Sequence, residues 1–336
     1  MKTTHEIKAV LIQERPPIHN TRDWLFLGRF ATAAALVALL VTAAPAAAAD
    51  ENAWKANLDK GKKLGTARDY QGAERSLLDA LREAEGFGPT DLRVGETLNL
   101  LGLTYIALER FKQAETTLTR ALAIRESSLG ASHRDTNSTR TNLAIAFSMQ
   151  GQVSKAEEFY RRSIMELEKS VGTESPALDH ALGGLATLYL LNGRAGEAEP
   201  LARRVLASRE REEGPESPRV GERLHDLATI LAAEGKYGEA IDVAARAVTI
   251  NRSVLGSRHP QVGISLQILG RIQGAKKSYA DAEKVLAEAL AIFEESLGPR
   301  HPFVGDTLRY YVVALRGAGR NAEAEKIERR IREWGF

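Results

Sequence analysis

Alanine followed by glutamate recurs at Ala73-Glu74, Ala114-Glu115, Ala156-Glu157, Ala198-Glu199, Ala282-Glu283 and Ala324-Glu325, and Ala240-Ile241 fills the one missing beat. The first step is 41 residues and each of the other five is 42. A period of that length, held over most of a chain, predicts a stacked array of supersecondary units. One such unit cannot bury its apolar face alone and hides it against its neighbours. The expectation of about two globular domains that length alone would give is therefore set aside.

Charge narrows the partners. Of 46 basic and 44 acidic residues, five basic and three acidic lie in residues 1–49, which leaves 41 of each sign from residue 50 onward. A neutral array has no global electrostatic drive toward nucleic acid or anionic lipid. The chain has no cysteine, which excludes disulfides, thiolate metal sites and cysteine nucleophiles.

Residues 1–49 read as an address. Phe30 to Ala44 is apolar apart from two threonines, follows Arg29, and leads through Pro45 into Ala46-Ala47-Ala48-Ala49 and the acids Asp50-Glu51. A basic flank, a short apolar core and a small-residue site describe a secretory signal peptide, with cleavage expected after Ala49. The alternative is an uncleaved anchor, since Phe30 to Ala49 is long enough in principle to span a bilayer. Either reading places residues 50–336 beyond the inner membrane, in the periplasm of a Gram-negative bacterium or anchored facing it.

One unit is clearest from Val262 to Gly298. Val262, Leu266, Leu269 and Ile272 recur at spacings of three and four, the mark of one helix face, and Ala282, Leu286, Ala289, Leu290 and Phe293 form a second such stripe. The polar segment Lys276-Lys277-Ser278-Tyr279 separates them. Each unit is thus predicted to be a helix, a tight turn and an antiparallel helix, seven pairs in all from about Asn52. Gly130, Gly172, Gly214, Gly256 and Gly298 fall where a left-handed cap would end each second helix. Pro176, Pro218, Pro260 and Pro302 follow four residues later, suited to a first helical turn. Gly151, Gly193, Gly235 and Gly319 mark the inner turn, with Lys277 in their place once. Gly102, Ala144, Ala186, Ala228 and Gly270 are expected to face the alanine of the beat, and its glutamate to be an exposed turn residue.

Leu101, Leu143, Leu185, Leu227 and Leu269, each followed by a small residue, then an aromatic or apolar residue at Tyr105, Phe147, Tyr189 and Leu231, then the Gly-x-Tyr/Phe-x-x-Ala-Glu signal, resemble the tetratricopeptide repeat. The 42-residue unit with Leu255-Gly256-Ser257-Arg258-His259-Pro260 and Leu297-Gly298-Pro299-Arg300-His301-Pro302 linkers is similar to the kinesin-light-chain subtype. The resemblance implies an all-α, right-handed superhelical solenoid of antiparallel helix pairs. It also implies a concave groove, lined by the first helices, that holds a peptide or partner protein. Its positions here are Asn99, Leu103, Thr141, Asn142, Ile145, His180, Thr187, His225, Thr229, Gln267, Arg271, Arg309 and Arg316. The subtype's Asn-Asn pair, whose amides offer donor and acceptor together, survives only as fragments such as Asn99-Leu100 and Thr141-Asn142, so no motor-cargo ligand transfers. The groove reads as apolar and small in its N-terminal half and richer in His, Gln and Arg toward its C-terminal half. Two readings stay open there: contact with an acidic side chain or chain-terminal carboxylate, or solvated polar residues without a ligand.

His133, His259 and His301 are 42 residues or a multiple of it apart, so the array keeps them on separate loops as turn residues rather than gathering them on a metal. His180 and His225, on neighbouring first helices, lack nearby acid or thiolate ligands. No nucleophile–base set, phosphate-binding glycine loop or His-Glu-x-x-His motif occurs. The expectation is an exported interaction scaffold, not an enzyme, with no catalytic residue, cofactor or metal and an unassigned oligomeric state. The alternatives are a periplasmic chaperone or an accessory regulatory subunit of an envelope enzyme.

Overall fold

A computed structural model describes residues 50–336, and the address segment lies outside the described residues. Fourteen α-helices form seven antiparallel pairs: α1 (Glu51–Thr66) with α2 (Tyr70–Gly86), α3 (Leu92–Ala107) with α4 (Phe111–Leu129), α5 (Arg134–Met149) with α6 (Val153–Val171), and α7 (Asp179–Leu191) with α8 (Ala195–Glu213). Then come α9 (Pro218–Ala233) with α10 (Tyr237–Leu255), α11 (Pro260–Ala275) with α12 (Tyr279–Leu297), and α13 (Pro302–Gly317) with α14 (Asn321–Trp334). A 3₁₀ turn, Pro176–Leu178, leads into α7. Each helix packs on the one before and the one after, which makes an all-α solenoid.

The linkers follow from local chemistry. Each first helix starts on a side chain that accepts from the backbone N–H groups left free in its first turn: Asp50, Asp91, His133, Ser175, Ser217, His259 and His301. The histidines act through Nδ1, at 3.1 Å from the Asp135 and Gln261 amides and 3.2 Å from that of Phe303. Pro218, Pro260 and Pro302 each open a helix, where the missing N–H costs nothing.

The glycines closing the second helices differ from expectation. Gly130 has φ 90° and ψ 163°, and Gly298 has φ 89° and ψ 156°. That is the mirror-image extended region, open essentially to glycine alone, and not the left-handed helical cap. It sends the chain onward to the next first helix instead of wrapping it back. Positive φ also marks the inner turns, at 73° for Gly151 and Gly193. Non-glycine residues hold that turn three times, at Arg68, Glu109 and Lys277, two more than the sequence suggested.

The packing of the small residues also needs correction. A Cβ on Gly102 would stand 2.4 Å from Cγ of Leu118, and one on Gly270 2.5 Å from Cγ of Leu286. The small residue therefore receives a leucine one turn beyond the alanine of the beat. Ala114 and Ala282 are themselves fully buried. At the equivalent positions of the fourth and fifth repeats, where the glycine is Ala186 or Ala228, the opposing residue shrinks to Ala202 or Ala244. A methyl gained on one side is met there by a smaller side chain on the other; in the third repeat, where Tyr160 holds the opposing position, its ring lies against Gly184 of the next repeat instead.

The glutamate of the beat is not an exposed turn residue. Glu74, Glu115, Glu157, Glu199 and Glu283 have side chains only 15–21% exposed. Each accepts from the next repeat: Glu74 from Arg110 at 2.7 Å, Glu157 from Arg194 at 2.6 Å, Glu115 from Gln150 at 3.1 Å, Glu199 from Lys236 and Glu283 from Arg320. Glu325, in the last described repeat, lies exposed. At the C-terminal end the Phe336 ring closes on Gly305, and the Arg330 guanidinium stacks 3.9 Å over the Trp334 ring.

Candidate partner-binding face

First helices of successive repeats touch one another, whereas second helices stand farther apart, so the first helices form the inner, concave wall. The α7–α9 approach is the loosest of these first-helix contacts. There the wall is also bare. Gly183, in the body of α7, has nothing within 4 Å of where a Cβ would stand, while a Cβ on adjacent Gly184 would meet the Tyr160 ring at 2.4 Å. His180 and Thr187, one turn on either side of Gly183, are exposed, and Thr187 Oγ1 donates to the Gly183 carbonyl at 2.9 Å.

In the N-terminal half the amides and hydroxyls expected to line the groove turn to one another. Asn142 Nδ2 donates to Asn99 Oδ1 at 3.0 Å across α3 and α5, and both residues are buried. Thr141 and Ser163 hydroxyls meet at 3.0 Å. Beside the exposed His180 and Thr187, what remains open is apolar: Leu103 is 38% exposed, Met149 43% and Leu191 52%, with Ile145 half-buried among them. Met149 and Leu191 lie one turn beyond Ile145 and Thr187. The helical period alone would have found them.

The C-terminal half is more occupied than its composition implied. His225 Nε2 and Ser265 Oγ are 2.8 Å apart. Ser265 gives its single hydrogen to the Gln261 carbonyl at 3.0 Å and accepts from Asn251 at 2.9 Å, which leaves Nε2 to donate. Burial, helped by nearby Arg223, pushes the His225 imidazole down to about 4, so it is neutral at pH 7. Gln267 Nε2 donates to Thr307 Oγ1 at 2.8 Å. Arg309 pairs with Asp306 at 2.5 Å and Arg316 with Glu328 at 2.7 Å. Arg271 reaches only the Thr229 hydroxyl, at 3.2 Å.

Asp226, with its side chain 56% exposed, is nevertheless held above the ordinary carboxylate range by the protein around it, even though Arg223 approaches to 2.9 Å. Exposed His180 is pushed below the ordinary imidazole range for the same reason. Among the described residues no cluster of His, Cys, Asp or Glu is arranged to hold a metal. A hollow of about 610 Å³ at the last repeat is lined by Asp306, Arg309, Trp334 and Phe336. A smaller cavity of about 110 Å³, between the loop before α7 and α8, is lined by Asp179, Arg204, Ser208 and Arg211 and contains no groove position.

No curated protein matches the chain. Among solved structures it is similar to a Podosopora anserina protein described as a kinesin light chain with nearly identical TPR-like repeats, at 26% identity over 62% of this chain and 97% of that one, TM-score 0.57. BtubC (BKLC) from P. vanneervenii is 23% identical over 70% of this chain and 93% of its own, TM-score 0.58. The apo form of RapI matches 84% of this chain and 76% of its own at 15% identity, TM-score 0.62, a likeness of fold alone. Residues 64–127, 93–164, 177–253, 223–295 and 267–333 each match the tetratricopeptide repeat family model. With those matches covering most of the chain, and with 42-residue helix pairs similar to those of kinesin light chains, this protein belongs to the tetratricopeptide repeat family.

Proposed function

We propose that this protein is an exported interaction scaffold that holds an apolar segment of a partner protein against the concave wall formed by α3, α5 and α7. Tetratricopeptide arrays generally serve as protein-interaction scaffolds. A Rap protein of similar fold, 16% identical with TM-score 0.52, is known in complex with Competence and Sporulation Factor. The observation that carries the proposal is the register of the open apolar side chains. Leu103 on α3 is exposed, and so are Met149 on α5 and Leu191 on α7, which share the position one turn beyond that of Leu103. Apolar side chains recurring on one face of a concave wall mark a binding surface more than a solvated one.

Export rests on the address segment. Among the described residues no helix is long and apolar enough to cross a membrane. N-terminal sequencing of the protein from fractionated cells tests export directly, with Asp50 expected as the first residue and Met1 the contrary result.

The groove is tested by affinity capture of full-length protein beside a Met149→Glu/Leu191→Glu variant, with circular dichroism confirming equal helicity. One stoichiometric partner, lost from the variant, is the expected result. Capture that is indifferent to both charges sinks the groove reading, and many substoichiometric partners favour a chaperone that holds clients transiently.

A further inference from the structure

From Val243 to Ala280 the chain has no acidic residue, the longest acid-free run in the sequence, and it carries Arg246, Arg252, Arg258, Arg271, Lys276 and Lys277. Three of these borrow carboxylates from other segments: Arg246 pairs with Glu210 at 2.6 Å, Arg252 with Glu288 at 2.6 Å, and Arg258 with Glu295. The other three have no carboxylate partner among the described residues. Lys276 and Lys277 are exposed in the turn after α11. Arg271 lies one and a half turns earlier on the same helix. At 1.5 Å per residue the three span roughly 9 Å along the axis.

The broken beat lies at this place. Two repeats earlier, Glu157 accepts from Arg194 at 2.6 Å. Moving both residues by two periods gives Ile241 and Ser278, so carboxylate and cation are lost together. The acid that borders the turn between paired helices at other junctions is thus missing from the one turn that carries two adjacent lysines. The array is neutral only with this run included, and its remaining residues carry six more acids than bases, so the excess of positive charge is local to the run.

We infer that Arg271, Lys276 and Lys277 form a docking site for an acidic protein segment around the C-terminal end of α11 in the sixth repeat. This deepens the scaffold reading and rests on it, naming the charge of a partner segment that runs on from the apolar wall. Three unscreened cations on a neutral array suit a short run of carboxylates. A nucleic-acid backbone would need a longer basic track, because its affinity grows with the number of phosphates neutralised. Arg309 and Arg316 do not contribute, since Asp306 and Glu328 already neutralise them.

The test is fluorescence anisotropy of fluorescein-labelled octaglutamate with the full-length protein at low salt. The triple variant Arg271→Gln/Lys276→Gln/Lys277→Gly should bind about tenfold or more weakly, a change of about 1.4 kcal/mol. Lys277→Gly places in the turn the residue found at Gly151, Gly193, Gly235 and Gly319, so the turn is preserved. Ile241→Glu should also weaken binding, and Arg309→Gln should leave it unchanged. Equal binding by the triple variant, or an equal loss in Arg309→Gln, overturns the site. Tighter binding of a single-stranded oligonucleotide or of phosphatidylglycerol vesicles overturns the assignment to an acidic protein segment. The Met149→Glu/Leu191→Glu variant should still bind octaglutamate. Loss of partner capture in that variant with retained peptide binding separates the groove reading from this one.

Discussion

The third and sixth repeats share a backbone and a period, yet they dispose of polar groups in opposite ways. In α5, Thr136, Asn137, Thr139, Arg140, Thr141 and Asn142 are all buried; in α11 the one buried polar side chain is Ser265. The third repeat bonds its polar groups to one another. Arg125 donates to Thr139 at 2.8 Å and to the Asp135 carbonyl at 2.9 Å, Asn137 donates to the Ala131 carbonyl at 3.0 Å, and Arg140 donates to Asn137 and, at 2.5 Å, to Glu126. The sixth repeat buries apolar residues and leaves its cations outside. Charge therefore means different things in the two: cohesion where it is compensated inside, availability where it is not.

The largest effect should come from breaking the compensated side. Arg140→Met removes the donor shared by Glu126 and Asn137 and leaves both facing a buried apolar chain. The expected loss is roughly 2–4 kcal/mol, because a stranded buried partner costs more than the bond contributed. Arg309→Met, which removes an exposed pair, should stay within about 0.5 kcal/mol. Urea titration followed by circular dichroism checks both. Equal midpoints would dissolve the distinction between the two kinds of arginine.

Two adjacent glycines give the next contrast. Gly184→Ala drives a Cβ into the Tyr160 ring and should cost about 1–3 kcal/mol by overpacking. Gly183→Ala meets nothing and should gain about 0.5–1 kcal/mol from helix propensity alone. Thermal melts of the pair decide it, and a loss at Gly183 would mean the wall there is not bare.

The period made the helix pairs, their number and the linker residues legible, because each signal recurs in register and local chemistry decides it. Partner choice among side chains was not legible. Asn99 and Asn142 share the groove register with residues that face solvent, and only the approach of α3 to α5 turns their amides to each other. Arg309 and Arg271 look alike in sequence, but the first is paired with Asp306 one turn away. The glutamate of the beat was misjudged for a related reason. Its partner lies 35 to 37 residues on, in the next repeat, beyond any local pattern.

That inter-repeat seam predicts an acid limit. Hydrogen bonding from Arg194, with smaller help from Tyr189 and Arg161, lowers the Glu157 carboxyl from 4.5 to about 2. A carboxylate more acidic in the folded state favours folding when ionised. Its contribution is full above about pH 4.5 and is lost as pH falls toward 2. Glu157→Gln should destabilise by about 1 kcal/mol at neutral pH, in the range of a favourable networked ion pair, and the gap from wild type should close in acid. A gap constant down to pH 2 would assign the loss to packing.

The smallest effect addresses the comparison most directly. Ile241→Glu with Ser278→Arg restores the beat at the one junction that lacks it, in the geometry that joins Glu157 to Arg194. As a half-exposed pair it should add about 0.2–1 kcal/mol over the sum of the single changes, read from a double-mutant cycle. Ile241 is partly buried against the core, so Ile241→Glu alone should lose stability, and Ser278→Arg alone should add a fourth cation to the turn. If the missing beat only reflects a tolerated loss, the cycle shows coupling and octaglutamate binding is indifferent to it. If the gap keeps the sixth repeat's cations free, the cycle shows the same coupling and the double variant binds octaglutamate less well than Ser278→Arg alone. Coupling gained and binding lost at one junction is the relation expected where charge left uncompensated is charge left for a partner.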